Sequence, residues 1–139
     1  MKSITINQLK FAGLLIILTI AFHVGLSSLL RSALFSWVWF IGLLYAILAF
    51  IAGWIFGRRD YASLPLYSIG FRFHATTYIV CNSIAEMYYF FGFQSQFESG
   101  EYVHMTAIFW GIGLLIHFIL FLIFRKNAIK GIEKTEIFE

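Results

Sequence analysis

The chain has 139 residues, of which 60% are hydrophobic, 20% aromatic and only 12% charged, with a formal net charge of +3. Soluble domains carry about a quarter charged residues, so a water-soluble globular fold is excluded, and the basic residues are too scattered to form a nucleic-acid-binding patch. The apolar residues fall instead into blocks of the length a bilayer demands, roughly 20 residues per crossing.

Four blocks, 11–30, 33–57, 72–93 and 103–125, predict four membrane-spanning helices. The first lies between Lys10 and Arg31 without an internal charge. Its apolar run is too long for the core of a cleaved signal peptide, although Gly25, Leu26 and Ser27 offer a small-x-small pattern. The second carries Gly42, Ala46, Ala49 and Gly53 on one helical face, and the first offers Ala21, Gly25 and Ser28 at similar spacing. Small residues let helix backbones approach in lipid, so these two helices are expected to pack closely. The connection from Arg58 to Arg72 holds the only proline, Pro65, among aromatic and aliphatic residues, which predicts a segment lying at the headgroup level. The third block is broken by one carboxylate, Glu86, and the fourth stops at Arg125 and Lys126. Short connections make successive helices antiparallel neighbours, so the chain is expected to be a single all-α domain over residues 1–139, a four-helix transmembrane bundle.

Cationic loops resist translocation. Lys2 and Lys10, then Arg58, Arg59 and Arg72, then Arg125, Lys126, Lys130 and Lys134 all fall on one side of such a bundle, against Arg31 alone on the other. This predicts both termini in the cytoplasm and a multi-pass protein of the cell membrane, with the bacterial inner membrane as the expected compartment.

The third block carries the most information. His74, Tyr78, Asn82 and Glu86 are each four residues apart, which stacks them along one helix face that lipid would not accept. At ~1.5 Å per residue, Glu86 and His23 both lie roughly 10 Å below the outer boundary, which makes a hydrogen bond or ion pair between them the expected proton or partner site. Counted from the inner boundary, Tyr78 and Asn82 bracket His117 of the fourth block and, with Trp110, define a second polar cluster. By the same arithmetic His74 is interfacial and offset from His117 by several ångströms. The single cysteine, Cys81, has no partner for a disulfide or a zinc cluster and is read as a small packing residue.

The run Phe73-His74, Tyr78, Asn82, then Phe109-Trp110-Gly111-Ile112-Gly113-Leu114 and His117 resembles the two-transmembrane domain family, small bacterial membrane modules found alone or attached to histidine kinases and LytTR-type regulators. The resemblance covers about residues 71–125. It implies a sensory or interaction module with no chemistry of its own. Here a further helical pair precedes the module, no kinase or DNA-binding domain accompanies it, and Glu86 departs from the family pattern, so signalling would pass through a partner.

Three functions follow as expectations. The first is a sensor or interaction protein that acts through other membrane or signalling proteins. The second is proton or ion handling at Glu86 and His23, with several copies forming the path. The third is a haem protein with two axial histidines. No nucleophile with its base and no carboxylate pair at one level emerges, so an enzyme is not expected, and neither is a bound metal or other cofactor. Glu101 and His104, one turn apart beyond Glu98, offer at most a weak cation contact in a solvated loop.

Overall fold

The structure is a computed structural model that describes residues 4–61 and 64–130, with the side chains of 4–61 and 64–126 placed. It is all-helical among these residues: α1 Ile6–Arg31, a 3-10 turn at Phe35–Trp37, α2 Val38–Arg59, α3 Leu66–Phe90 and α4 Gly100–Lys130. The segments Ile6–Arg31, Phe35–Arg59 and Gly100–Lys126 are long and apolar enough to cross a membrane. The 25 residues of α3 have the length to cross beside them, at ~37 Å, but carry the polar stripe. Lys2 and Lys134, used above for orientation, lie outside the described residues.

α1 and α3 run parallel at the centre. Phe11 and Leu15 of α1 and Phe73 and Cys81 of α3 belong to one buried cluster, with the Phe11 and Phe73 rings 5.0 Å apart. Polar rungs hold the same register along the seam. Gln8 Nε2 donates to Thr76 Oγ1 at 2.9 Å, Thr19 Oγ1 lies 3.7 Å from Cys81 Sγ, and Tyr88 OH donates to Ser27 Oγ at 3.0 Å. α2 leans mainly on α1, and α4 packs helix-to-helix on α3 alone among the described residues. The order across the bundle is therefore α2, α1, α3, α4, which leaves a cleft between α2 and α4.

The expected closeness of α1 and α2 is present, but only part of the small-residue seam makes it. A Cβ at Gly53 would lie 3.7 Å from Phe11, and one at Gly25 would meet Ile41 Cδ1 at 2.5 Å. Gly42 faces open space, and Ala21 and Ala46 are exposed. The close approaches are thus at the two ends of the interface, Phe11 against Gly53 at the inner end and Ile41 against Gly25 at the outer.

The connection before α3 is shorter than the charge pattern predicts. Pro65, at φ −69°, stands immediately before the helix, and Leu66 to Arg72 already wind as helix where an interfacial loop was expected. Asp60, buried at the end of α2, ties this corner to the start of α1: it accepts from Thr5 Oγ1 at 2.6 Å and Asn7 Nδ2 at 2.7 Å. Thr5 in turn caps α1, accepting from the Gln8 N–H at 3.0 Å.

α1 and α3 end in the same way. Leu34 N–H donates to the Leu29 carbonyl and Ala33 N–H to that of Leu30; Phe93 and Gly92 make the matching bonds to Tyr88 and Tyr89. Each is a Schellman closure, which places one residue in the left-handed region, Gly92 at φ +73° and Ala33 at φ +56°. Glycine is at ease there, whereas an L-residue pays roughly 1–2 kcal/mol. Ala33→Gly is therefore expected to stabilise the bundle by about 1 kcal/mol and Gly92→Ala to destabilise it similarly, read from reversible unfolding in mixed micelles.

Candidate functional site

Three members of the stripe on α3, His74, Tyr78 and Glu86, find partners on α4. Trp110 Nε1 donates to His74 Nε2 at 2.9 Å, and His74 Nδ1 meets His117 Nδ1 at 2.9 Å. Tyr78 OH donates to the Ala107 carbonyl at 3.2 Å and stands edge-on to the Trp110 indole, their ring centroids 6.0 Å apart. Tyr78, Trp110 and His117 thus form a polar cluster as expected, but its centre is His74. Asn82 stands apart: its Nδ2 donates to the Tyr78 carbonyl of its own helix at 2.7 Å.

His74 is not offset from His117, and that expectation is corrected. The depth count started α3 at Arg72, whereas the helix starts six residues earlier, so His74 is a further ~9 Å along it. Phe71 stacks on Phe121 and Tyr67 lies tilted against the same ring in the turns before His74, which sets Leu66 near the level of Arg125.

The hydrogen-bond order in this chain is directional. An indole N–H only donates, so His74 Nε2 must be the unprotonated nitrogen and His74 Nδ1 carries the proton. His117 Nδ1 then accepts, and His117 keeps its proton on Nε2. Nε2 of His117 has no partner among the described residues and borders the cleft, 3.8 Å from where a Cβ on Gly70 would stand. A second proton on either ring sets two N–H groups against each other and breaks the chain.

Glu86 and His23 are not brought together. Glu86 Oε1 lies 2.8 Å from His104 Nδ1 on the α3–α4 flank, with the two side chains 44% and 64% exposed. Each step of four along a helix advances the stripe by about 40°, which turns Glu86 away from α1 and toward the first turns of α4. His23 is 9% exposed, stacks on Tyr88 with centroids 5.2 Å apart, and leaves its Nδ1 without a hydrogen bond. Among the described residues no hydrogen bond or ion pair joins Glu86 to His23. His104 also has Glu86 as its partner, not Glu101. His74 and His117 touch through their Nδ1 atoms, so a haem iron between them would require that contact to open.

Three further polar connections escaped the sequence reading. Asp60 is one. The second lies at mid-membrane, where Thr19 Oγ1, Tyr45 OH and Cys81 Sγ meet, Tyr45 OH at 2.9 Å from each of the other two. The third closes the opposite end: Glu98 Oε2 accepts from Ser27 Oγ at 2.7 Å and from the Ser95 N–H at 2.6 Å, while Arg31 Nη2 donates to the carbonyls of Phe93 and Gln94 at 2.6 and 3.1 Å. Serine spaced at four from His23 on α1 was the available signal for Ser27; for Glu98 it was the Ser95-x-x-Glu98 spacing, which lets the carboxylate accept from the Ser95 N–H.

The cleft between α2 and α4 contains two cavities. The inner one, about 860 Å³, is walled by Phe11, Phe50, Trp54, Phe73, His74 and His117. The outer one, about 400 Å³, reaches the α3–α4 loop. Among the described residues no group of three or more His, Cys, Asp or Glu side chains has metal-binding geometry. No protein-family model, curated protein or solved structure matches the chain, so the resemblance of residues 71–125 rests on the residues quoted for it.

A double-mutant cycle with His74→Ala and His117→Ala is expected to give a coupling near 0.6 and at most ~1.7 kcal/mol, the range for buried polar pairs in lipid. In the nitrogen spectrum of labelled protein, His117 should report its proton on Nε2, and Trp110→Phe should abolish the fixed tautomer of His74. Mixed tautomers at both rings in the unmodified protein would contradict the directional chain.

Proposed function

We propose that the protein is a small membrane sensor or interaction module that acts through a partner protein. The observation that supports this best is the attachment of α4. It meets α3 through a chain of hydrogen bonds, while Ile108, Phe109, Ile112, Leu115 and Ile116 are exposed. Lipid hydrocarbon satisfies such a face, but so does another helix, and apolar side chains alone gain little from choosing between them. α4 is therefore the element whose position the cleft and the histidine chain control. Ligand in the cleft or a proton on the chain changes the α3–α4 contact, and the change is read by whatever lies against α4.

In this reading the bundle has both termini in the cytoplasm, as the distribution of Lys and Arg favours, and serves in a bacterial inner membrane like the two-transmembrane domain modules it resembles.

Photo-cross-linking from position 109 or 116 in native membranes should capture a second membrane protein, and His74→Phe should reduce that yield severalfold without lowering the amount of bundle. Cross-links to lipid alone would count against the proposal. Labelling of single cysteines at positions 4 and 126 should require permeabilised cells if the termini are inside.

A further inference from the structure

The outer cavity has a composition unlike the rest of the cleft. Six aromatic rings border it: Phe22, Tyr45, Tyr89, Phe97, Tyr102 and Trp110. Beside them stands one carboxylate, Glu98, and no Lys or Arg. The carboxylate is fixed before anything binds. Its Oε2 is held by Ser27 Oγ and the Ser95 N–H, and Ser27 is itself held by Tyr88 OH, while Oε1 has no hydrogen bond among the described residues. His23, buried and lacking a partner at Nδ1, borders the same space, as does Asn82.

Charge makes the choice of ligand. The N-terminus of α4 at Gly100 contributes roughly half a positive charge near the mouth, so a full carboxylate leaves the site net negative. Arg31, the nearest guanidinium in sequence to this end, is engaged by the Phe93 and Gln94 carbonyls and does not border the cavity. An anion has no donor cluster to meet it. A neutral apolar molecule would leave Oε1 without a counter-charge. A compact organic cation satisfies both the carboxylate and the ring faces, because aromatic quadrupoles attract cations most strongly where water is excluded.

We propose that the outer cavity is a binding site for organic ammonium ions, with Glu98 as the counter-charge and the rings of Phe22, Tyr45, Tyr89 and Tyr102 as the cage. The volume of about 400 Å³ suits a small head such as a substituted trimethylammonium. The α3–α4 loop borders the cavity at Phe97, Glu98 and Ser99, and in this proposal the cation enters there. Of its α4 residues, Val103, Thr106 and Trp110 lie to one side of the stripe that carries Phe109 and Ile116, and Tyr102 lies on that stripe, two turns before Phe109. This supplies a ligand class to the sensing reading above but is tested without a partner, so either can fail alone.

The probe is phenyltrimethylammonium, titrated calorimetrically into the full chain in maltoside micelles, with tert-butylbenzene as the neutral isostere. The cation should bind saturably, and the isostere should bind at least tenfold more weakly. Glu98→Gln keeps an acceptor for Ser27 and Ser95 and should weaken the cation at least tenfold; Phe22→Leu, which leaves the carboxylate and its clasp in place, should weaken it severalfold. Equal binding of cation and isostere, or unchanged cation binding in Glu98→Gln, overturns the proposal. Displacement of the probe by short-chain phosphatidylcholine, with none by the matching phosphatidylglycerol, upholds the site with a lipid headgroup as the source; no displacement by either upholds it with a free ammonium.

Discussion

The parallel contact between α1 and α3 positions everything else. In lipid, apolar side chains lose nothing by facing hydrocarbon, so a bundle cannot be held by the force that closes a soluble core. Close packing and hydrogen bonds must supply the register. The α1–α3 seam has both: Phe11 against Phe73 at one level, and the polar rungs at Gln8, Thr19 and Ser27 along its length. α2 and α4 are then attached on opposite sides, α2 through Asp60 and Tyr45, α4 through His74 and Tyr78. The cleft between them follows from this layout, because two outer helices fixed to a central pair need not touch each other.

How much of this could be read from residues alone depends on which property was asked for. The membrane helices follow from charge-free apolar runs, and α3 shows which of its faces meets a neighbour because four-residue spacing is a property of one helix. Register is a property of two. Arg72 marks a charge and not the start of its helix. α3 begins before it, at Leu66, and the whole polar ladder moves with it. Thus His74 came to face His117, while Glu86 moved toward the loop end and found His104 in place of His23.

Asp60 and Glu98 illustrate a different limit. Each lies just outside a span, where solvated carboxylates are ordinary, and nothing nearby in sequence points to the partners they find across the bundle. Their partners, Thr5 and Asn7 for one and Ser27 for the other, are more than 50 residues away. The two carboxylates close opposite ends of the bundle. Of the two, Glu98 borders the cleft: the inner cavity is lined by rings and the histidine chain, the outer one by rings and that fixed carboxylate.

The parallel seam also has a consequence for the making of the protein. Thr19 and Cys81, which meet across it, are 62 residues apart. At ribosomal speeds of about 5–20 residues per second, α1 waits roughly 3–12 s in or near the membrane before its main neighbour exists. During that interval Thr19 can turn to its own helix, as it does through the Leu15 carbonyl at 2.7 Å. His23 and Ser27 bond to no carbonyl of α1 in the finished bundle, and until α3 arrives they face lipid, water or the insertion machinery. The first hairpin is thus a biosynthetic intermediate with two unsettled polar groups on its future inner face, and the arrival of Tyr88 and Glu98 gives its serine a partner.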